Sequence, residues 1–397
     1  MNNKGVGTVY LIALGAFSLG MASYVMAGLV PMVMNDFDVS VATAGQLVTA
    51  FTLAYGIGSP IFVALLPVNK QRTALLLALL IFSIANLSSA WAATYTQLVM
   101  TRILAGIGAG VYLAMGISAA TIVVPKNQRG KSIAIVMGGM ASGTVLGVPI
   151  GLILADYFGW ASTMWLIAIL GGVAVVGLTL CLPSLPDTEA ASLREKLLVM
   201  ADVKVARILT VSLLAAIASL GMYTYLASFM LNDSFGGVSN VTPWLWVWGI
   251  GGILGSFLVG SFTDRINDSS LVAIIMLILT LALLALPLIA SISPWVAMLP
   301  IAIWGAVGWA LQVPQNNQLI AVREGSGGGN VAVALNESAL YLGSALGAAG
   351  GGLVYAFQLS LWILPVGAAT IALLGLILQL LDAKKLNIDN AAESCCK

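Results

Sequence analysis

Few residues in this sequence are suited to chemistry, and the stretch VALNESALYLGSALG at residues 333–347 holds the best placed of them. Glu337 starts a polar stripe there, with Tyr341 and Ser344 following at i+4 and i+7. On a helix that stripe lies about 110° around from Gly343, Gly347 and Gly350, at 100° per residue. Burial disfavours the charged form of a carboxylate, and a buried acid of this kind can take up and release a proton near neutral pH. The plainer reading is a helix N-terminal acid, favoured by the dipole and wetted from one side. No histidine occurs anywhere, which removes imidazole as proton carrier, metal ligand or base. Proton chemistry therefore falls to carboxylates, and a nucleophile-base enzyme or a metal enzyme is disfavoured. The sequence calls for no cofactor and no bound metal.

A second charge is out of place. Arg102 falls inside an apolar run, where an ionised side chain costs about 2.5–3.5 kcal/mol on insertion scales. It can snorkel to the outer interface, pair with Asp36, or serve as a charge that tunes protonation. Around Pro314 lie Gln312, Gln315, Asn316, Asn317 and Gln318, of which Gln312 and Gln315 are the better candidates to meet a solute. Neutral amides suit a neutral or zwitterionic ligand, and Asn336, beside Glu337, adds another. Tyr24, Tyr112, Tyr223, Tyr225, Trp304 and Trp309 could stack on a planar or amphipathic solute, although rings in such positions also serve as packing or interface anchors. Trp244, Trp246 and Trp248 read as part of an aromatic belt.

These side chains need a membrane scaffold to hold them. The 397 residues are 60% hydrophobic and 8% charged, against about 25% charged in soluble domains. Each bilayer crossing takes roughly 20 apolar residues. Breaks at charges, prolines and polar clusters give twelve such segments, near 8–34, 43–66, 73–93, 97–124, 132–155, 161–182, 207–231, 243–262, 271–291, 295–321, 332–356 and 360–381. With this count every one of the 16 Lys and Arg residues except Arg102 falls on the side of the termini. By the positive-inside rule both termini are cytoplasmic. The net charge of +1 gives no electrostatic footprint for nucleic acid. Cys181, Cys395 and Cys396 have no metal or redox spacing, and the final Cys-Cys-Lys is not a prenylation box.

The longest polar stretch divides the chain in the middle. It suggests an N-terminal six-helix bundle at 1–182, a cytosolic linker at 183–206 with a short amphipathic helix, a C-terminal bundle at 207–381 and a cytosolic tail at 382–397. GTVLGVPIG (143–151) in the fifth segment echoes GSALGAAGG (343–351) in the eleventh. Repeated halves with a site between them are the architecture of a secondary transporter. The glycines concentrate in the second, fifth, eighth and eleventh segments, and small residues four apart let helices approach closely. One reading makes these faces the surface across which two rigid halves rock; the other is ordinary membrane-helix packing.

Several stretches resemble the major facilitator superfamily, and within it the twelve-span drug:proton antiporters, close to arabinose-efflux-like and purine-efflux-like bacterial permeases. They are GLVPMVMNDFDVSVATAGQLVTAFTLAYGIGSP (28–60), TRILAGIGAG (101–110), GTVLGVPIG with Gly143, Gly147, Pro149 and Gly151, IWGAVGWALQVPQNNQLI (303–320) and ALNESALYLGSALGAAGGG (334–352). The resemblance implies an all-α integral membrane protein of twelve helices in two pseudo-symmetric bundles, with the first, fourth, seventh and tenth spans lining a cavity. It implies efflux of a drug, nucleobase, sugar or amino acid from a bacterial inner membrane, in exchange for protons, by a monomer. Proton coupling would then fall to Glu337, Arg102 and Asp36. A facilitator or importer that uses no proton is the alternative.

Two departures qualify it. A Gly-x-x-x-Asp-Arg pattern is intact at Gly260, Asp264 and Arg265, but its first-half counterpart has Pro67 and Val68 in place of the acid and arginine. Many relatives carry a glutamate in the first span where this chain has Ser23, itself a cavity candidate.

Overall fold

The computed structural model describes residues 3–58, 61–62, 70–125, 128–185, 198–199, 201–263, 266–323 and 329–395. Asp264, Arg265, Pro67, Val68 and residues 186–197 and 200 of the linker between the halves lie outside the described residues. Within them the chain is helical from end to end. The first half comprises α1 (Asn3–Phe37), α2 (Val41–Leu53, continued by a π turn Ala54–Gly58), α3 (Gln71–Ala90), α4 (Tyr95–Ile122), α5 (Arg129–Ser142, a π turn Gly143–Gly147, then Val148–Phe158) and α6 (Trp160–Cys181). The second comprises α7 (Val203–Leu231), α8 (Thr242–Thr263), α9 (Asp268–Ala290), α10 (Met298–Ala310 and Gln312–Arg323), α11 (Gly329–Ala356) and α12 (Ile363–Cys395). Each overlaps the apolar segment read from the sequence, with ends that differ by a few residues and α2 followed only to Gly58, and α12 runs on through most of the expected tail.

Eleven helices among the described residues are long and apolar enough to cross a membrane. The remaining segment, α10, is divided at Leu311 into pieces of 13 and 12 residues. Pro314 explains the break, because it has no N–H for the Ala310 carbonyl and its ring crowds that turn. The π turn of α5 has a related origin. Pro149 cannot bond back to Val145, and the Val148 N–H reaches five residues back to Gly143 instead.

Matching brackets hold the ends of the two halves. The Arg72 guanidinium, at the start of α3, donates to the carbonyls of Leu182 at 2.9 Å and Thr179 at 2.8 Å, closing the C-terminus of α6. In the second half Gln379 of α12 donates to the Ser269 carbonyl at 3.1 Å and its hydroxyl at 2.8 Å, at the start of α9. The third and sixth spans of each half are thus tied at the linker end.

The glycine faces divide between the two readings. A methyl group on Gly143 would overlap the Phe17 carbonyl of α1, and one on Gly147 would lie 3.0 Å from Met21 Cβ. Gly151 meets Met21 and Thr163, Gly343 meets Ala216 and Leu213 of α7, and Gly347 meets Gly221. These glycines pack α5 on α1 and α11 on α7 inside one half, rather than half against half. The reason is physical: glycine lets a neighbouring backbone approach but does not select which neighbour. Contacts between the halves are made instead by Gly45 against Tyr225, Gly56 against Leu342 and Gly352 against Gln46.

Gly143→Ala is expected to separate α1 from α5, at a cost of about 1–3 kcal/mol or more for overpacking. A fall in the thermal midpoint in detergent measures it. Gly138→Ala is the control, since nothing lies within 4 Å of its added methyl; equal midpoints for the two variants would refute the close approach.

Candidate functional site

Between the halves lies a cavity of about 200 Å³, walled by α1, α2, α5 and α7 to α11. Its chemistry is uneven. Tyr24, Tyr223, Trp248 and Trp309 form an aromatic box, with Tyr24 5.8 Å from Tyr223 and 6.0 Å from both Trp248 and Trp309, centroid to centroid. Tyr223 and Trp248 are closer still at 4.2 Å. Such rings offer large apolar faces with a quadrupole, suited to aromatic or cationic groups. The Trp248 indole N–H is buried and has no acceptor among the described residues.

Glu337 stands in the same wall, with Gln312, Tyr341 and Ser344. No lysine or arginine lines the cavity among the described residues. Tyr341 is fixed from two sides. Its ring stacks on Tyr55 of α2 at 3.5 Å and 16°, and its hydroxyl is 3.3 Å from that of Ser23. Ser23 in turn bonds the Leu19 carbonyl at 2.9 Å. The stripe of Glu337, Tyr341 and Ser344 therefore faces the cavity, while Tyr55 and Ser23 bring the other half onto it.

Arg102 is fully buried in the first half. It neither snorkels nor meets Asp36. Its guanidinium donates to the Ala22 carbonyl of α1 at 2.8 Å, is 3.4 Å from Asn86 Oδ1, and lies 4.3 Å above the Phe51 ring. Its Nε has no partner among the described residues. Asp36, at the far end of α1, accepts from the Trp160 indole at 2.6 Å. A charge held only by a carbonyl, an amide and a ring is poorly compensated, because removing an ion from water costs several kcal/mol.

Other sequence candidates lie away from the cavity wall. Tyr112 bonds the Ile12 carbonyl at 3.0 Å, and Tyr225 bonds the Ala348 carbonyl at 2.7 Å. Trp304 donates to Ser219 at 2.7 Å from behind the wall. Gln315 is wholly buried, and Asn336 bonds Asn316 at 2.8 Å. Three buried rings thus serve packing through their polar atoms. Trp248 corrects the belt assignment, since it belongs to the cavity. Its signal was present in the sequence: Gly252 follows it at i+4 and Gly255 at i+7, the face on which α8 packs against α10. Tyr55 was missed because nothing in its own segment marks it as a partner for Tyr341.

A twelve-helix membrane fold with a solute-sized cavity between its halves is the form of a transporter, and the known proteins it resembles agree. The sequence model of the Major Facilitator Superfamily matches residues 12–325. The inner membrane transport protein YdhP of Escherichia coli O157:H7 is 30% identical over 374 residues, covering 94% of this chain and 95% of that one. A chloramphenicol resistance protein of Streptomyces lividans is 29% identical over 343 residues, 85% of this chain and 86% of its own. A bacterial homologue of the human lysosomal transporter Spinster, solved inward-facing and unoccupied, matches with a TM-score of 0.77 at 17% identity, covering 97% and 98% of the two chains. The chain belongs to the major facilitator superfamily. It is a multi-pass inner-membrane transporter, not an enzyme.

Proposed function

We propose that this transporter exports a small organic solute by alternating access, in exchange for a proton bound at Glu337. The single observation that carries the reading is a carboxylate in the cavity wall with no cationic partner there. The chain then works as a monomer with both termini cytoplasmic and with the Asp36 end towards the outside. The halves 1–182 and 207–381 move against each other, joined by 183–206. The aromatic box favours a planar amphipathic solute over a sugar, and efflux fits a relative named for chloramphenicol resistance.

A facilitator or importer without proton coupling is the second reading, favoured by Ser23 in the first span, where a second carboxylate would strengthen the coupling. Purified protein in liposomes separates the two. Chloramphenicol is the first probe, followed by nucleobases, amino acids and sugars that raise the thermal midpoint. Accumulation that needs a pH gradient supports antiport. Equal flux with and without the gradient leaves the facilitator, and no flux of any midpoint-raising solute defeats both.

A further inference from the structure

A second polar cluster lies one helical turn from the cavity, inside the C-terminal half. Gln315 of α10, Asn336 of α11 and Ser212 of α7 are all buried to within about 1%. Both amide atoms of Gln315, the Ser212 hydroxyl, Asn336 Oδ1 and Gln318 Nε2 have no partner among the described residues. Exchanging the nitrogen and oxygen of either amide leaves the same shortage of partners. Buried groups of this kind are nearly always hydrogen-bonded, to protein or to water.

The helices bring them to one level. Gly308 of α10 packs against Ser219 of α7, and further along Leu319 packs with Ile208 and Leu209. Between these points, seven residues on from Gly308 and seven back from Ser219, are Gln315 and Ser212. The Asn316–Asn336 bond ties α11 to α10 at the same height. Three of these residues are also about one turn from a residue of the cavity wall: Gln315 from Gln312, Ser212 from Ala215 and Ala216, and Asn336 from Leu340. Asn336 also immediately precedes Glu337. On the exposed side of α10 Asn317 reaches Asp268, 3.5 Å away at the start of α9.

We infer that this seam between α7, α10 and α11 is a hydrated side passage that holds ordered water and exchanges protons with Glu337, apart from the route of the solute, and that ends on the linker side at the apolar cluster of Ile208, Leu209, Leu319 and Leu335. Donors and acceptors are balanced in it, as water requires, and no fixed charge is present to trap an ion. The titratable groups facing Glu337 are Tyr24 from α1, Tyr55 from α2 and Tyr341 on its own helix. The passage rests on the Glu337 reading and extends it by naming where its proton is exchanged.

Time-resolved infrared absorption after a jump from acid to alkaline pH tests both, with the full-length protein in detergent and the proton itself as the probe. The carboxyl C=O band of Glu337 is the band missing from Glu337→Gln. Gln315→Leu combined with Ser212→Ala is expected to slow its decay at least tenfold, and Ser212→Ala alone, which removes one oxygen, to slow it severalfold. An unchanged decay in the folded Ser212→Ala protein overturns the passage while the Glu337 reading stands. Absence of any band that Glu337→Gln removes defeats that reading first. A cryo-EM map of the wild type should show ordered solvent at the Gln315 amide, and a dry seam there overturns the proposal independently.

Discussion

A Glu337→Gln protein is expected to keep binding its solute and to lose pH-gradient-driven export altogether. The substitution keeps the size and hydrogen-bonding shape of the side chain, so the cavity wall formed with Gln312, Tyr341 and Ser344 is retained. Only the capacity to bind and release a proton is lost. Binding, read by thermal shift or tryptophan quenching at Trp248 and Trp309, should change severalfold at most. Export against a gradient should fall to the rate of empty liposomes, with downhill exchange remaining. Uphill transport that survives in the glutamine protein would remove Glu337 from the coupling.

The second large effect runs in opposite directions for stability and activity. Replacing Arg102 by methionine keeps length and packing while deleting an ion with no counter-charge among the described residues. Exchanging a poorly compensated buried ion for an apolar residue is often neutral, or stabilising by about 1–4 kcal/mol. What is lost is a hydrogen bond to the Ala22 carbonyl, worth about 1.5–3 kcal/mol for a charged donor, and contact with Phe51. That carbonyl keeps its place in the helix ladder of α1. The variant should therefore melt no lower than wild type and yet fail to transport. A retained buried charge with so little compensation is explained by function. Normal transport by Arg102→Met, or its collapse in detergent, would make the residue structural.

Much of the scaffold was legible because the bilayer acts through coarse quantities. Span length and polarity breaks located every helix among the described residues, and the break in α10 falls at a proline already visible in the sequence. That Glu337, Tyr341 and Ser344 share one face of α11 was also legible, because stripe geometry follows from helix periodicity alone; that this face meets the cavity was not. Pairing was not. Gly143 and Gly347 announce close approach without naming the partner, and they turned out to bind α1 and α7 of their own halves. Trp248 sits in a tryptophan-rich segment start that composition assigns to an interface, yet the rotation of α8 against α10 turns it inward. Gln315 looked like a solute contact because amides are rare in membrane helices. The cavity wall ends one turn earlier, a distance that only tertiary packing sets.

The two π turns have a mechanical consequence. Both belong to the first half, in α2 and α5, whereas α8 and α11, their counterparts by the internal repeat, are unbroken α-helix among the described residues. A π turn accommodates one surplus residue on looser hydrogen bonds, so it is the compliant joint of an otherwise stiff rod. The two arms of this transporter are unequal springs. Tyr55 lies on the π turn of α2 and stacks on Tyr341 of α11, one turn from Glu337, so movement at this contact is expected to bend α2 before α11.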